Sequence, residues 1–296
     1  MKQTPLIALF ISIIGVSFAA VIIRTCTAPP LLISFYRLLF TSLLLLPVLL
    51  LFPRYRKQLK QISKKEFLLM IIIGIVLAFH FTFWITSLGF TSVASSVILV
   101  TSHPVLVAPL SYIFLKEKIS KANIAGIFIS LIGVFTLVYG NYSGAFDQTS
   151  LYGNILAFLG GIAAGLYILG GRYMRRTVSV IIYAIIVYTI STFVLLGFIA
   201  FSQIQLFSIN TDDLLLILLM ALISGIGGHT LYNWSLAHIR ASLASVALLG
   251  EPIGSSFLAL LIPWINEIPT IWTLIGGAIV LTGVYLTAKE KKEILA

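Results

Sequence analysis

Ten apolar segments, each about 20 residues long, are the feature that most constrains how this chain of 296 residues can fold. A helix needs about 20 apolar residues to cross the hydrocarbon core of a bilayer, and it satisfies its backbone hydrogen bonds within the segment. Charged residues make up only 9% of the chain, whereas a soluble domain has about a quarter. The sequence therefore predicts an all-α membrane protein with ten transmembrane helices, here called spans 1 to 10, at residues 5–23, 31–52, 67–88, 92–114, 122–140, 151–171, 178–201, 214–235, 241–263 and 270–288.

The placement of the basic residues predicts the orientation of these spans. With ten spans the loops alternate sides, and all but two of the 19 Lys and Arg residues then fall on the side of the two termini. The exceptions are Arg24, at the end of span 1, and Arg37, within span 2. Because cytoplasmic loops carry an excess of Lys and Arg, we expect a protein of the cell membrane with both termini in the cytoplasm. The net charge of +10 is thus explained by basic residues in the loops on one side of the lipid bilayer, and it does not require a nucleic-acid partner.

The two halves of the sequence resemble each other at a spacing of about 148 residues. The matching positions are Ser87-Leu88 with Ser235-Leu236, His103-Pro104 with Glu251-Pro252, Glu117 with Glu267, Gly126 with Gly276, and Gly133-Val134 with Gly283-Val284. They predict two repeats of five spans, residues 1–145 and 146–296. Because five is odd, the second repeat enters the membrane from the opposite side. Inverted repeats are common in secondary transporters and place the substrate site between the halves at mid-depth, so we expect a central cavity there.

Glu251 is the leading candidate for a functional residue, because it lies near the centre of span 9. A charge at that depth costs several kcal/mol, and intramembrane acids are functional candidates by default. We expect it to bind a proton or a cationic group of the substrate; the alternative is a structural acid. His103 is its counterpart and could exchange a proton or pair with it across the cavity, or instead satisfy a carbonyl in its own bundle. Pro104 and Pro252 follow these residues and predict helix kinks.

A second set of polar and aromatic residues lies in spans 3 and 8. His80 and His229 form another near-equivalent pair, and each is followed within five residues by aromatic side chains. Aromatic faces suit organic cations and rings, and an amide can orient a polar group. Helix packing and the enrichment of aromatic residues at membrane interfaces are the alternatives. The further candidates for substrate contact are Trp84, Tyr232, Asn233 and Trp234.

The remaining charged residues are predicted to lie near the membrane surfaces. Arg37 is about 10 Å into span 2, from which a long side chain can snorkel to the outer interface. We favour a structural or gate-pairing role for it over direct substrate contact. The residues expected at span ends are His238, Glu117 and Glu267, and those expected as solvated acids in external loops are Asp147, Asp212 and Asp213.

Several short motifs lie at particular points of the ten-span plan. They are Leu115-Lys-Glu-Lys118 closing span 4, Gly126 to Gly133 in span 5, Gly276 to Gly283 in span 10, Tyr36-Arg37 in span 2 and Glu251-Pro252 in span 9. With them the whole chain resembles the EamA-type members of the drug/metabolite transporter superfamily. The resemblance implies a cavity lined mainly by spans 1, 3, 4, 6, 8 and 9, and transport of small metabolites by alternating access. His103, at the first half's equivalent of Glu251, and the missing counterpart of Arg37 are departures from it.

The motifs absent from the sequence narrow the function further. The nucleotide-binding motif Gly-x-x-x-x-Gly-Lys-[Ser/Thr] does not occur, so we expect transport to run on a gradient, by exchange or by facilitated diffusion. Proton coupling is attractive because Glu251 and the histidines can titrate. The prediction is a secondary transporter for a small organic metabolite such as an amino acid or a related amphiphile, with no catalytic residues, metal site or cofactor. An intramembrane metal-dependent enzyme and a channel are the alternatives. They are disfavoured because His-Glu-x-x-His, Gly-x-Ser-x-Gly and rings of charge do not occur.

Overall fold

The structure, a computed structural model, describes residues 4–91, 93–139, 148–261 and 271–288 and is helical throughout these ranges apart from short connections. The residues considered above that lie outside the described ranges are Asp147 and Glu267, together with the terminal lysines Lys2, Lys289, Lys291 and Lys292.

Sixteen helical segments follow one another along the described chain. Those of the first half are α1 (Thr4–Thr25), α2 (Pro30–Leu51), α3 (Pro53–Gln61), α4 (Lys64–Ser87), α5 (Val93–Thr101), α6 (Pro104–Leu115) and α7 (Lys121–Tyr139). Those of the second half are α8 (Gln148–Met174), α9 (Val180–Phe201), α10 (Thr211–Met220), the π segment (Ala221–Thr230), α11 (Leu231–Ser235), α12 (Ala241–Ala247), the 3-10 turn (Leu248–Gly250), α13 (Glu251–Leu261) and α14 (Ile271–Ala288).

Seven helices in the described residues are long and apolar enough to cross a membrane. They are Thr4–Thr25, Pro30–Leu51, Lys64–Ser87, Leu151–Met174, Val180–Phe201, Thr211–Ser235 and Ala241–Leu258. Three shorter apolar segments, Leu99–Leu115, Lys121–Thr136 and Leu274–Thr287, lie where spans 4, 5 and 10 are predicted. The chain is therefore a multi-pass membrane protein of helices, and the count of ten spans and their inverted order stay predictions.

Helix ends follow capping signals that the sequence carries. Ser63 caps α4 by accepting a hydrogen bond from the backbone N–H of Glu66, whose carboxylate accepts one from the N–H of Ser63. Asn210 caps α10 by accepting from the N–H of Asp213 at 2.7 Å. Pro30 occupies the first turn of α2, where its missing N–H costs nothing.

Two groups of helices pack around the centre of the molecule. In the first bundle, α4, α5 and α6 pack against α8. In the second bundle, the π segment, α11 and α13 pack against α1, and α12 continues into the 3-10 turn before α13. Gly15 of α1 lies so close to the π segment that a Cβ atom there would be 2.8 Å from the backbone nitrogen of Gly228. Small residues permit such close backbone approach between membrane helices.

Candidate functional site

A cavity lies between the first and second bundles. It encloses about 540 Å³ of space not filled by protein atoms, its mouth included. Its walls come from both predicted halves of the chain. The lining residues are Val16, His80, Trp84, Val100, Thr101 and His103 from the first half, and Ala164, Tyr167, Ile168, His229, Tyr232, Leu248 and Glu251 from the second.

The helices that line the cavity are interrupted beside it. α5 ends at Thr101 and α6 begins at Pro104, so His103 lies in the break between two helices. In span 9 the 3-10 turn precedes α13, whose first residue is Glu251 and whose second is Pro252. In span 8 the π segment contains His229. Irregular backbone at membrane depth is tolerated where it lines a cavity or is buried in protein, and π segments are frequent at functional sites.

Glu251 faces the cavity with a carboxylate that lacks a hydrogen bond or ion pair to any other described residue. Its backbone, by contrast, is held by α1. The hydroxyl of Ser17 donates to the carbonyl oxygens of Ile13 at 2.8 Å and of Glu251 at 3.4 Å, and the hydroxyl of Ser255 donates to the carbonyl of Ser17 at 3.0 Å. The start of α13 is therefore fixed while the carboxylate stays available to a ligand or a proton.

The three cavity histidines have different surroundings. Nδ1 of His80 lies 3.0 Å from the carbonyl oxygen of Gly160, so Nδ1 carries the hydrogen and the neutral ring keeps Nε2 as an acceptor. The ring of His80 stacks on Trp84 with 6.0 Å between centroids. His103 is 5% exposed, and its Nδ1 has no hydrogen-bond partner among the described residues. The rings of His229 and Phe81 form an edge-to-face contact with 5.4 Å between centroids.

Two hydrogen-bond donors in the cavity wall are also without partners. Nε1 of Trp84 and the hydroxyl of Tyr232 are buried and make no hydrogen bond to the described part of the chain. Buried polar groups of this kind are normally satisfied. With Nδ1 of His103 and the carboxylate of Glu251, they give the cavity several unsatisfied polar positions between aromatic faces. Such a lining suits a small ligand that combines polar groups with an apolar or ring portion.

Six of the eight residues predicted to contact substrate line the cavity, and two do not. Asn233 is buried behind the wall, where its amide donates to the hydroxyl oxygens of Tyr167 at 2.5 Å and Tyr188 at 3.2 Å. The ring of Trp234 contacts that of His238, with 4.7 Å between centroids and 40° between the ring planes, and Trp234 is not among the lining residues. Tyr167 lines the cavity without a sequence signal, because a tyrosine in a glycine-rich span is equally typical of helix packing.

Arg37 does not reach the membrane surface. The side chain is 1% exposed, so the prediction that it snorkels to the interface is wrong. Its guanidinium carbon lies 4.6 Å from the centroid of the Phe81 ring, behind the cavity wall. Both terminal nitrogens lack a hydrogen-bond partner among the described residues. Arg37 interacts electrostatically with Glu251, although the two charges do not form a salt bridge.

Two acids predicted to be interfacial or solvated are buried instead. Glu117 is 4% exposed and pairs with Arg172 at 2.7 Å. Asp213 is 3% exposed and accepts hydrogen bonds from the backbone N–H and the hydroxyl of Thr27. Asp212 is exposed, as expected. The residues that bind the two buried acids are distant from them in sequence. The local sequence around each acid therefore predicts a solvent-exposed side chain, although the fold buries it.

The described residues contain no group of three or more His, Cys, Asp and Glu side chains placed to hold a metal ion.

Comparisons with known proteins agree with a transporter. A model of the EamA-like transporter family matches residues 3–139 and again residues 151–289. An uncharacterized transporter of Archaeoglobus fulgidus is 24% identical over 99% of both chains. The uncharacterized transporter YetK of Bacillus subtilis is 25% identical over 97% of this chain and 87% of its own. A solved crystal structure superposes with a TM-score of 0.75 at 18% sequence identity, and the match covers 97% of this chain and 96% of that one.

Proposed function

Because the chain belongs to the EamA-like transporter family, we propose that this membrane transporter carries a small organic metabolite across the cell membrane by alternating access. It is built as two inverted repeats of five spans, residues 1–145 and 146–296, with both termini in the cytoplasm. In alternating access, the binding site faces one side of the membrane and then the other as one group of helices moves against another.

Two observations support the arrangement as repeats. The two matches to the family model each fall within one predicted half of the chain. The cavity has walls from both halves, which is where transporters built from inverted repeats keep their substrate site.

The carboxylate of Glu251, unpartnered in a cavity between the two bundles, is the observation that carries the proposal. A charge away from water needs a counter-charge or a proton. A protonated amino group of the substrate supplies the first, with Trp84 and Tyr232 giving ring contact and hydrogen bonds. An amino acid or a related amphiphile fits this description.

Competition for one carboxylate gives a simple coupling mechanism. If a proton and the amino group of the substrate bind Glu251 in turn, each bound form neutralises the charge and permits the change of conformation. The empty, ionised form is the state least able to pass through a closed conformation, because there the carboxylate has neither a proton nor a hydrogen-bonded cation and only the attraction of Arg37, which forms no salt bridge with it. Transport would then be an exchange of protons for substrate.

The test is counterflow in proteoliposomes against a library of metabolites, with and without a proton gradient, for the native protein and Glu251→Gln. Glutamine keeps the size of the side chain and removes both the charge and the proton site. We expect counterflow to fall at least tenfold and its dependence on pH to disappear. Asp212→Asn, which neutralises an exposed acid, is the control and should transport like the native protein. Native rates and pH dependence in Glu251→Gln would refute the coupling role.

Counterflow also distinguishes a carrier from a channel. Only a carrier exchanges labelled for unlabelled substrate through one saturable site, so flux that neither saturates nor shows counterflow would favour the channel.

A further inference from the structure

A buried ion pair lies outside the cavity, at the end of the molecule that carries the basic loops. Glu117 follows α6, and Arg172 is in the last turn of α8. Nε of Arg172 donates to Oε1 of Glu117 at 2.7 Å, and the two side chains are 2% and 1% exposed. Buried ion pairs add little net stability, because the cost of removing both charges from water offsets their attraction. Stability alone is therefore a weak reason for this pair.

Both members of the pair also bind backbone groups of one neighbouring loop. Oε2 of Glu117 accepts from the N–H of Ala241 at 2.8 Å, and Nη1 of Arg172 donates to the carbonyl oxygen of Leu236 at 2.6 Å. Residues 236–240 connect α11 to α12 in the second bundle, and Ala241 is the first residue of α12, whereas Glu117 and Arg172 belong to the first bundle. The pair thus attaches one bundle to the other.

Further hydrogen bonds cross between the bundles at the same end. Nε of Arg175 donates to the carbonyl of Asn233 at 3.0 Å, and Nη1 of Arg240 donates to the carbonyl of Lys118 at 3.1 Å. Packing has the same asymmetry: α12 packs closely on α6, whereas α13 contacts α5 at few described positions. The bundles are therefore joined at the end with the basic loops, on one side of the cavity.

We propose that Glu117, Arg172 and the backbone of residues 236–241 form the cytoplasmic gate of the transport pathway, and that this gate is closed in the structure. The inference rests on the proposed function, since a gate requires a pathway. Opening separates α6 and α8 from the loop between α11 and α12. Cytoplasmic water then hydrates both charges and the two backbone groups, so hydrogen bonds to water replace those of the closed state. Polar interactions of this kind allow two states of similar free energy.

The gate is connected to the cavity by direct contacts. Tyr167 lines the cavity and accepts a hydrogen bond from the side chain of Asn233, whose backbone carbonyl accepts from Arg175. Tyr232, the residue before Asn233, also lines the cavity. A ligand that moves either tyrosine therefore acts on Asn233, which is bonded to Arg175, the residue that directly follows α8.

The gate can be tested by thiol labelling, which needs no transported substrate. Cys26 is the single cysteine and is replaced in a Cys26→Ala background. Ala164→Cys then places a reporter in the cavity wall. Inside-out membrane vesicles are treated with a membrane-impermeant methanethiosulfonate, which reaches the protein from the cytoplasmic side. We expect the reporter to be protected with the native gate and labelled at least fivefold faster with Glu117→Gln or with Arg172→Lys, since lysine cannot reach Glu117 and Leu236 together.

Three controls make the result decisive. Lys121→Gln removes an exposed charge at the same end and should leave the reporter protected. A reporter at Val187→Cys, buried away from the cavity and the gate, should stay unlabelled in every variant. The exchanged pair, Glu117→Arg with Arg172→Glu, restores opposite charges but sets donor against donor at Ala241 and acceptor against acceptor at Leu236, so it should remain open.

The outcomes either support or overturn the gate. Unchanged labelling in both Glu117→Gln and Arg172→Lys overturns it, and so does equal labelling at Val187→Cys, which indicates general loosening of the fold. Protection restored by the exchanged pair overturns the part played by the backbone of residues 236–241. If labelling behaves as expected while counterflow finds no substrate, the proposed transport fails and the closure of the cavity by this gate stands.

Discussion

At the scale of single residues, the buried charges of this protein fall into two kinds. Asp213 and the Glu117–Arg172 pair are satisfied by hydrogen bonds from segments distant in sequence. Glu251 and Arg37 are not, within the described residues. Charges of the first kind hold segments together. Charges of the second kind are expensive to keep. The Phe81 ring and the attraction between Arg37 and Glu251 offset part of the cost, and a ligand, a proton or another conformation can supply the missing hydrogen bonds.

Cys26 offers a direct test of the surroundings of Asp213. Burial, with the charge and hydrogen bond of Asp213, raises the pKa of the Cys26 thiol to about 12. The thiolate is the reactive form, and at pH 8 only about one thiol in ten thousand is ionised, so alkylation is slow. We expect the rate of alkylation by iodoacetamide to rise about tenfold per pH unit between pH 8 and 11.

Removing the negative charge should lower that pKa. The pH profile of Asp213→Asn is therefore expected to move to lower pH, whereas the profile of Asp212→Asn, which changes an exposed acid one residue away, should match the native one. A rate that increases equally at every pH would instead mean that the substitution exposes the thiol. Identical profiles in all three proteins would contradict the role given to Asp213.

At the scale of helices, close contact between α1 and the π segment shapes the second bundle. The hydroxyl of Ser224 donates to the carbonyl of Gly15 at 2.7 Å, and the hydroxyl of Thr230 donates to the carbonyl of Gly225 at 2.9 Å. The second bond connects residues five apart, the spacing of a π-helix. His229 therefore reaches the cavity from a wider helix that rests directly on α1.

Gly15→Ala should disrupt this contact. The added Cβ would lie 2.8 Å from the backbone nitrogen of Gly228, and backbone atoms cannot move aside as a flexible side chain can. Overpacking costs about 1–3 kcal/mol, so we expect a lower melting temperature in detergent and slower counterflow. Gly197→Ala is the matched control, because no atom lies within 4 Å of the added Cβ. That helix-interior change should be neutral or stabilising by about 0.5–1 kcal/mol. Equal effects of the two substitutions would rule out the close contact as the cause.

At the scale of the whole molecule, two bundles enclose a cavity, and in the described part of the chain they are joined more tightly at one end. The bonds that join the bundles, made by Glu117, Arg172 and Arg240, lie at the end of the molecule where the basic residues cluster. If that end is cytoplasmic, the structure represents a state closed to the cytoplasm. The side of the membrane that the gate closes therefore depends on the orientation of the chain in the membrane.

Fusions to alkaline phosphatase, which is active only outside the cytoplasm, test orientation and span count together. With ten spans we expect active fusions after Gly89 and Leu206, and inactive fusions after Ile62, Lys118, Arg176 and His238. The informative pair is Gly89 and Lys118, because α5 and α6 are short and separated by a break. Equal phosphatase activity of the fusions at Gly89 and Lys118 would show that α5 and α6 together do not cross the membrane, and it would contradict the count of ten spans.

Local sequence is enough to identify the class of protein, the position of its apolar segments and an acid that lines the cavity. Hydropathy is a local property, and an intramembrane acid next to a proline is visible in a few residues. Glu251, His103, His80, His229, Trp84 and Tyr232 therefore line the cavity as a set that the repeat and the spans had already indicated.

Which charges are buried, and with which partners, is known only from the way the helices pack. Glu117 meets Arg172 across 55 residues of chain, and Asp213 meets Thr27 across 186, so no local window of sequence contains both members of either pair. The sequence also does not distinguish Tyr232, which lines the cavity, from Trp234, which does not. Which of the two side chains reaches the cavity depends on helices that come from elsewhere in the chain. Burial is a property of two surfaces in contact, and one segment of sequence specifies only one of them.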